Sequence, residues 1–177
     1  RGRSVRILAP APDAARGLGE SLPPSARKGL AALGVLDAIE ASGCCASRGN
    51  RVAWGGDTQR LGPFEPEGGA GFQAWRPTLD RILLAKAVEA GARYDPARVR
   101  RVDLLADSTQ EVTYVTHAGQ AGRARGRFVV DASGRTGLIA RKQGRRAHPV
   151  RTHAWIGLWR YALPLAGWAL ETTLVES

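Results

Sequence analysis

A chain of 177 residues with 44% hydrophobic and 24% charged side chains can bury a core of ordinary globular size, which excludes disorder and collagen-like repeats. Its 23 arginines and three lysines against 16 carboxylates give a net charge of +10, a field that attracts anions without dictating a fold. The most apolar stretch, 154–175, is interrupted by Arg160, Pro164 and Glu171, and Arg1, Arg3 and Arg6 leave no apolar signal-peptide core, so a soluble, cytoplasmic protein without a membrane span is expected.

In chain order, residues 4–8 read as a short strand that Pro10 and Pro12 end, because neither can donate to a ladder. Pro23-Pro24 opens a helix over 25–33, with Leu30 and Leu33 on one face and Gly34 at its C′ position. A short helical turn over 35–41 follows. Residues 51–54 and 72–75 read as two strands of one small sheet, joined by a long Gly/Pro-rich loop. Pro77 starts a second helix, in which Leu79, Ile82, Leu83, Ala87 and Ala90 recur at helical spacing until Gly91. Segments 99–105, 112–116 and 123–130 then alternate between apolar and polar, with Asp107-Ser108 and Ala118-Gly119 as turns, which predicts an antiparallel meander. Period-two geometry puts Arg123, Arg125 and Arg127 on one solvated face, so nucleic-acid binding is not expected, although a basic polyanion-binding module is the rival reading from another class. Residues 129–131 read as a buried strand running into the turn Asp131-Ala132-Ser133-Gly134, with a short helix through Lys142. Two further strands are expected over 152–161 and 170–176.

Common catalytic signatures are missing. His117, His148 and His153 have no cysteine or carboxylate at ligand spacing, and Cys44-Cys45 is neither a CxxC pair nor part of a metal quartet. No GxSxG elbow, phosphate-cradling Walker loop or HExxH occurs.

One ordered set of motifs remains. Gly19-Glu20-Ser21-Leu22-Pro23-Pro24-Ser25-Ala26-Arg27, then Leu33-Gly34 and Trp54-Gly55, then Arg76-Pro77-Thr78-Leu79-Asp80, then Val129-Val130-Asp131-Ala132-Ser133-Gly134-Arg135 with Ala140-Arg141, together resemble the flavin-dependent monooxygenases of the tryptophan-halogenase-like family. Trp159-Arg160-Tyr161 and the closing Thr173-Leu174-Val175-Glu176-Ser177 resemble that family's substrate-domain strands, so the likeness runs from Ser4 to Ser177. The resemblance implies a mixed α/β fold: a Rossmann-like FAD/NAD(P)-binding domain with an antiparallel meander, plus a second, substrate-domain β-sheet. With Arg1 in first place and no methionine, a chain incomplete at both ends is expected, without the opening glycine-rich loop. Residues 1–50 and 76–147 would form the FAD-binding part, and 51–75 and 148–177 the substrate sheet. One parallel sheet would hold 4–8 and 128–130, and a separate one 51–54 and 155–161.

The same resemblance implies FAD as cofactor, a small organic molecule as substrate, and NAD(P)H or a flavin reductase as source of electrons. It marks Glu20, Ser21, Arg76, Asp131, Ser133 and Gly134 as cofactor-binding, with Arg76 toward the diphosphate or ribose of FAD and the Asp131 turn toward ribose or adenine. No side chain stands out as acid or base. Two departures bear on activity. Leu8 is followed by Ala9 where such sheets place an acidic residue for the ribose hydroxyls. Arg48, Asn50 and Arg51 stand where halogenases of the family place a lysine, and a guanidinium that stays protonated cannot cycle as an amine does. The expectation is therefore a monooxygenase-type FAD-dependent oxidoreductase, with a flavin-dependent halogenase or a reductase of an apolar substrate as alternatives.

Overall fold

A computed structural model describes residues 2–12, 19–53, 59–64, 69–144 and 171–175. In chain order the elements are β1 (Arg6–Ala9), β2 (Gly19–Leu22), α1 (Ala26–Ala32), α2 (Leu36–Glu40), β3 (Cys45–Ser47), β4 (Gly49–Ala53), β5 (Gln59–Pro63), β6 (Gly71–Trp75), α3 (Arg76–Glu89), β7 (Arg93–Leu104), β8 (Gln110–Thr116), β9 (Ala121–Gly126), α4 (Leu138–Lys142) and β10 (Glu171–Val175). The mixed α/β class holds. Packing divides the described residues into two units, one within 2–5, 11–93 and 171–175, the other within 6–10 and 94–144. No helix among the described residues is long and apolar enough to cross a membrane.

In the first unit β6 is the centre of an antiparallel sheet, flanked by β2 and β3. Its alternation decides what is buried: Phe72 and Ala74 point into the core, while Trp75 on the other face is exposed. Leu30, Val35, Ile39 and Leu79 from the helical segments complete that core. Burying a Leu, Ile or Phe side chain contributes about 1.5–3 kcal/mol, and Leu22, Leu36, Cys44, Ile82 and Leu83 pack against the same cluster. The segment 72–75, grouped by sequence with 51–54, thus pairs instead with Gly19–Leu22 and Cys45–Ser47. Alternation marked it as a strand but carries no information about its partner.

A separate sheet has β4 at its centre, antiparallel to β5 and parallel to β10. The expected strands near 51–54 and 170–176 are therefore both present, and they pair. The expected strand over 152–161 and Trp54 lie outside the described residues.

α1 ends as its sequence demands. Gly34 has φ +67° and its N–H reaches Ala31 O, while the N–H of Val35 reaches Leu30 O at 3.0 Å. This paired closure needs a left-handed residue at C′, and it folds Val35 back onto Leu30 in the core. Gly34→Ala is expected to lower stability by about 1–2 kcal/mol, since a Cβ there is strained and would lie 3.3 Å from Lys86 Cε. Urea titration of the variant checks this; an unchanged midpoint would contradict it.

The second unit has the strand order β1-β7-β8-β9, with β7, β8 and β9 forming the expected antiparallel meander. The turn after β7 is closed by Asp107, whose carboxylate accepts from Thr109 N at 3.0 Å and Thr109 Oγ1 at 2.6 Å. Ala97, Val112 and Tyr114 are buried on one face, and Arg123 and Arg125 are exposed on the other. Arg6 ties β1 in: its Nε donates to Asp95 at 2.6 Å and its Nη2 to Tyr114 Oη at 2.7 Å.

The meander stops one step earlier than the sequence suggests. β9 ends at Gly126, and Phe128 and Val130 are 75% and 87% exposed, so residues 128–130 form no strand and share no sheet with β1. At that point Phe128 O lies within 3.2 Å of where a Gly126 Cβ would sit, and the pairing with β8 ends at Gly126, opposite Gln110.

Candidate functional site

The first cluster arises where β6 runs directly into α3. Glu20 on β2 lies opposite Ala74 in the register, and two residues past Ala74 comes Arg76, the first residue of the helix. Arg76 donates through Nη1 to Glu20 Oε2 at 2.9 Å and through Nη2 to Asp80 Oδ1 at 3.0 Å. Asp80 lies one helical turn on, at the i,i+4 spacing that puts two side chains on one face. The hydrogen bond to Glu20 is the main cause that raises the Arg76 pKa above its ordinary value. With Arg76 and Glu20 about two-fifths exposed, the ion pair contributes at most about 1 kcal/mol to stability. Its consequence is positional: two carboxylates hold a guanidinium at the start of α3.

Ser21 goes elsewhere. Neighbouring strand residues face opposite sides, and the Ser21 hydroxyl donates to Gln73 Oε1 at 2.7 Å on the far face from Glu20. It does not cap α1, whose N-cap is Ser25 without a side-chain bond.

The second cluster belongs to the other unit and is described by itself. Asp131 Oδ1 accepts from Ser133 N at 3.0 Å and Ser133 Oγ at 2.5 Å, and Oδ2 accepts from Ile139 N at 2.8 Å. Ser133 Oγ in turn accepts from Leu138 N at 3.1 Å. Together they satisfy two of the otherwise orphaned amides that open α4, so the turn and the helix form one folding piece. Lys142, at the other end of α4, donates to Val102 O at 2.9 Å and pairs with Asp103. All of Asp131, Ala132, Ser133 and Gly134 are exposed, and Gly134, at φ +60°, has no atom within 4 Å of where a Cβ would be.

Hydrogen bonds from Ser133 and then Ile139 push the Asp131 pKa below the ordinary carboxylate value. A depressed folded-state pKa stabilises the fold above the unfolded value of about 3.9 and ceases to do so as pH falls through the lower folded value. Asp131→Ala is expected to cost about 1 kcal/mol at neutral pH, the typical effect of losing a helix cap, and less at a pH acid enough to lie below the lowered folded-state value, where the carboxylate is protonated. Chemical denaturation at both pH values reads this; equal losses at the two would contradict it.

Of the six residues marked by sequence, Glu20 and Arg76 are thus in direct contact, Asp131 and Ser133 are in direct contact, Gly134 opens the turn beside them, and Ser21 faces away from Glu20. Asp80 was missed, although its i,i+4 spacing from Arg76 was a readable signal.

No family model matches the sequence. A tryptophan 2-halogenase from Chondromyces crocatus is 26% identical over 146 residues, which cover 81% of this chain and 28% of that protein. The myxobacterial chondrochloren halogenase, described as a variant of FAD-dependent halogenases, is 28% identical with a TM-score of 0.67, covering 75% of this chain and 32% of that one. CmlS, a flavin-dependent halogenase, is 26% identical with a TM-score of 0.70, covering 81% and 27%. The chain therefore spans about a third or less of the length of these proteins. It is similar to them in sequence and shares the fold of FAD-dependent halogenase-type flavoproteins, as the ordered motifs led us to expect.

Proposed function

We propose that this chain is part of an FAD-dependent oxidoreductase that oxidises a small organic molecule, with monooxygenase-type chemistry. The reading rests on one observation above all: the similarity at 26–28% to proteins described as flavin-dependent halogenases, spread over at least three quarters of the chain. When bound, FAD supplies the redox chemistry, and the protein supplies position and electrostatics. The residues present suit such a ligand. Arg76 and Glu20 offer a donor and an acceptor that are both open to solvent, and the exposed Asp131–Gly134 turn leaves room for close approach at Gly134. In this reading Glu20, Ser21 and Arg76 belong to one part of the cofactor site, and Asp131, Ser133 and Gly134 to the ribose or adenine part. Asp131 and Ser133 hold the turn's shape, and Ser21 holds β2 against β6. In the same proposal 1–50 and 76–147 serve the cofactor and 51–75 and 148–177 the substrate, with β6 placed on the cofactor side because it pairs with β2 and β3. A cytoplasmic setting, with NAD(P)H or a flavin reductase supplying electrons, goes with this function.

Halogenation is the second reading, favoured by the names of the relatives. Against it stand Arg48, Asn50 and Arg51 in place of the expected lysine. The two separate in one experiment: the intact protein carrying this chain, given reduced flavin, oxygen and chloride or bromide, is assayed by mass spectrometry against a panel of aromatic and aliphatic substrates. Addition of oxygen whether or not halide is present supports the monooxygenase; halide incorporation establishes the halogenase.

A further inference from the structure

We infer that Glu20, Arg76 and Asp80 form a subsite for an uncharged, hydrogen-bonding part of the ligand, a polyol or a carbonyl-bearing ring, and not for a phosphate. The inference rests on the flavin reading above and deepens it, deciding against the diphosphate of the two groups, diphosphate or ribose, expected at Arg76.

Charge is the first ground. One guanidinium is held by two carboxylates at 2.9 and 3.0 Å, so the cluster carries a net charge of −1. Unit charges at such a distance attract or repel with equal strength. A diphosphate at Arg76 would meet one attraction and two repulsions. An uncharged hydroxyl or carbonyl meets no such opposition. It can accept from the guanidinium, which has five N–H groups, and a hydroxyl can also donate to a carboxylate oxygen.

The helix start is the second, independent ground. Phosphates bound at a helix N-terminus are held by its first backbone amides. The second residue of α3 is Pro77, which has no N–H, so the cradle lacks one of its donors at the place where Arg76 sits.

Three probes divide the ligand in the intact protein carrying this chain: FAD, riboflavin, which has the ring and ribityl chain without phosphate, and ADP, which has the diphosphate without the ring. Binding is read by flavin fluorescence and, for ADP, by calorimetry. Arg76→Ala should raise the dissociation constants of FAD and riboflavin by the same factor, roughly tenfold or more, as for loss of a hydrogen bond from a charged group. ADP should change less than about twofold, within the range of an exposed, screened charge. Asp80→Asn frees one face of the guanidinium, so FAD and riboflavin should shift together in this variant too, by the same factor, while ADP should again change less than about twofold. Weakened FAD and ADP with unchanged riboflavin would overturn the inference and leave the flavin reading standing. No change for any probe in either variant would overturn it as well, reducing the cluster to a structural ion pair. Wild-type protein that binds neither FAD nor riboflavin would remove the flavin reading itself, and the inference with it.

Discussion

Gly71→Ala is expected to destabilise the first unit by about 3 kcal/mol or more, the upper range for forcing a methyl into a packed site. Gly71 is buried at the head of β6, and a Cβ there would stand 2.3 Å from Leu22 O, with Pro23 C at 3.3 Å and Leu22 C at 3.4 Å. Every one of these neighbours is backbone, so no rotamer change relieves the contact. The strand must move, and moving it disturbs the pairing with β2 and β3 at once. Because Glu20 reaches Arg76 only through that pairing, loss of the register should also separate the ion pair. Far-UV circular dichroism under urea measures the stability change. A loss below about 1 kcal/mol, the size of an ordinary surface effect, would contradict the close approach of the two strands.

Ile39→Ala carries the second large effect. Ile39 is fully buried in α2, at 0% exposure, and packs in the cluster with Leu30, Val35, Phe72, Ala74 and Leu79. Deleting three side-chain carbons from such a site costs about 2–5 kcal/mol, combining lost transfer energy with the cavity left behind. With so few residues fully buried among those described, little else there can close the gap. Thermal melts of Ile39→Ala and Ile39→Val discriminate: the valine variant should lose about 0.5–1.5 kcal/mol. Equal small losses for both would mean that the site collapses freely and that α2 is not a fixed part of the core.

Legibility followed the reach of each interaction. α3 was readable because its signals are local: Pro77 near the start, apolar residues at helical spacing, Gly91 past the end. The meander was readable for the same reason, since alternation and turn residues lie within a few positions of one another. β2 and β3 were not, because Gly-Glu-Ser-Leu and Cys-Ala-Ser are short and poor in β-branched and aromatic residues. They become strands only because β6 lies between them. Residues 128–130 misled in the opposite direction: Phe128 and Val130 alternate as a strand does, yet the ladder ends at Gly126.

The candidate site divides along the same line. Arg76 and Asp80 are four residues apart and their pairing could be seen, whereas Glu20 and Arg76 are separated by 56 positions and meet only through the β2–β6 register. Asp131 was marked as cofactor-binding where a strand enters a turn; the turn is present, and its oxygens are engaged by Ser133 and Ile139 within it. Residue type told that a carboxylate was needed there; only the geometry told what it binds.

The central claim, that this chain helps to bind FAD, is tested most directly by titrating FAD into the intact protein that carries it and following flavin fluorescence to saturation. The account predicts saturable binding at one FAD per chain, weakened by Arg76→Ala while circular dichroism stays that of the wild type. Absence of saturation up to about 100 μM, a binding free energy weaker than about 5.5 kcal/mol, in protein whose circular dichroism shows it folded, would contradict it.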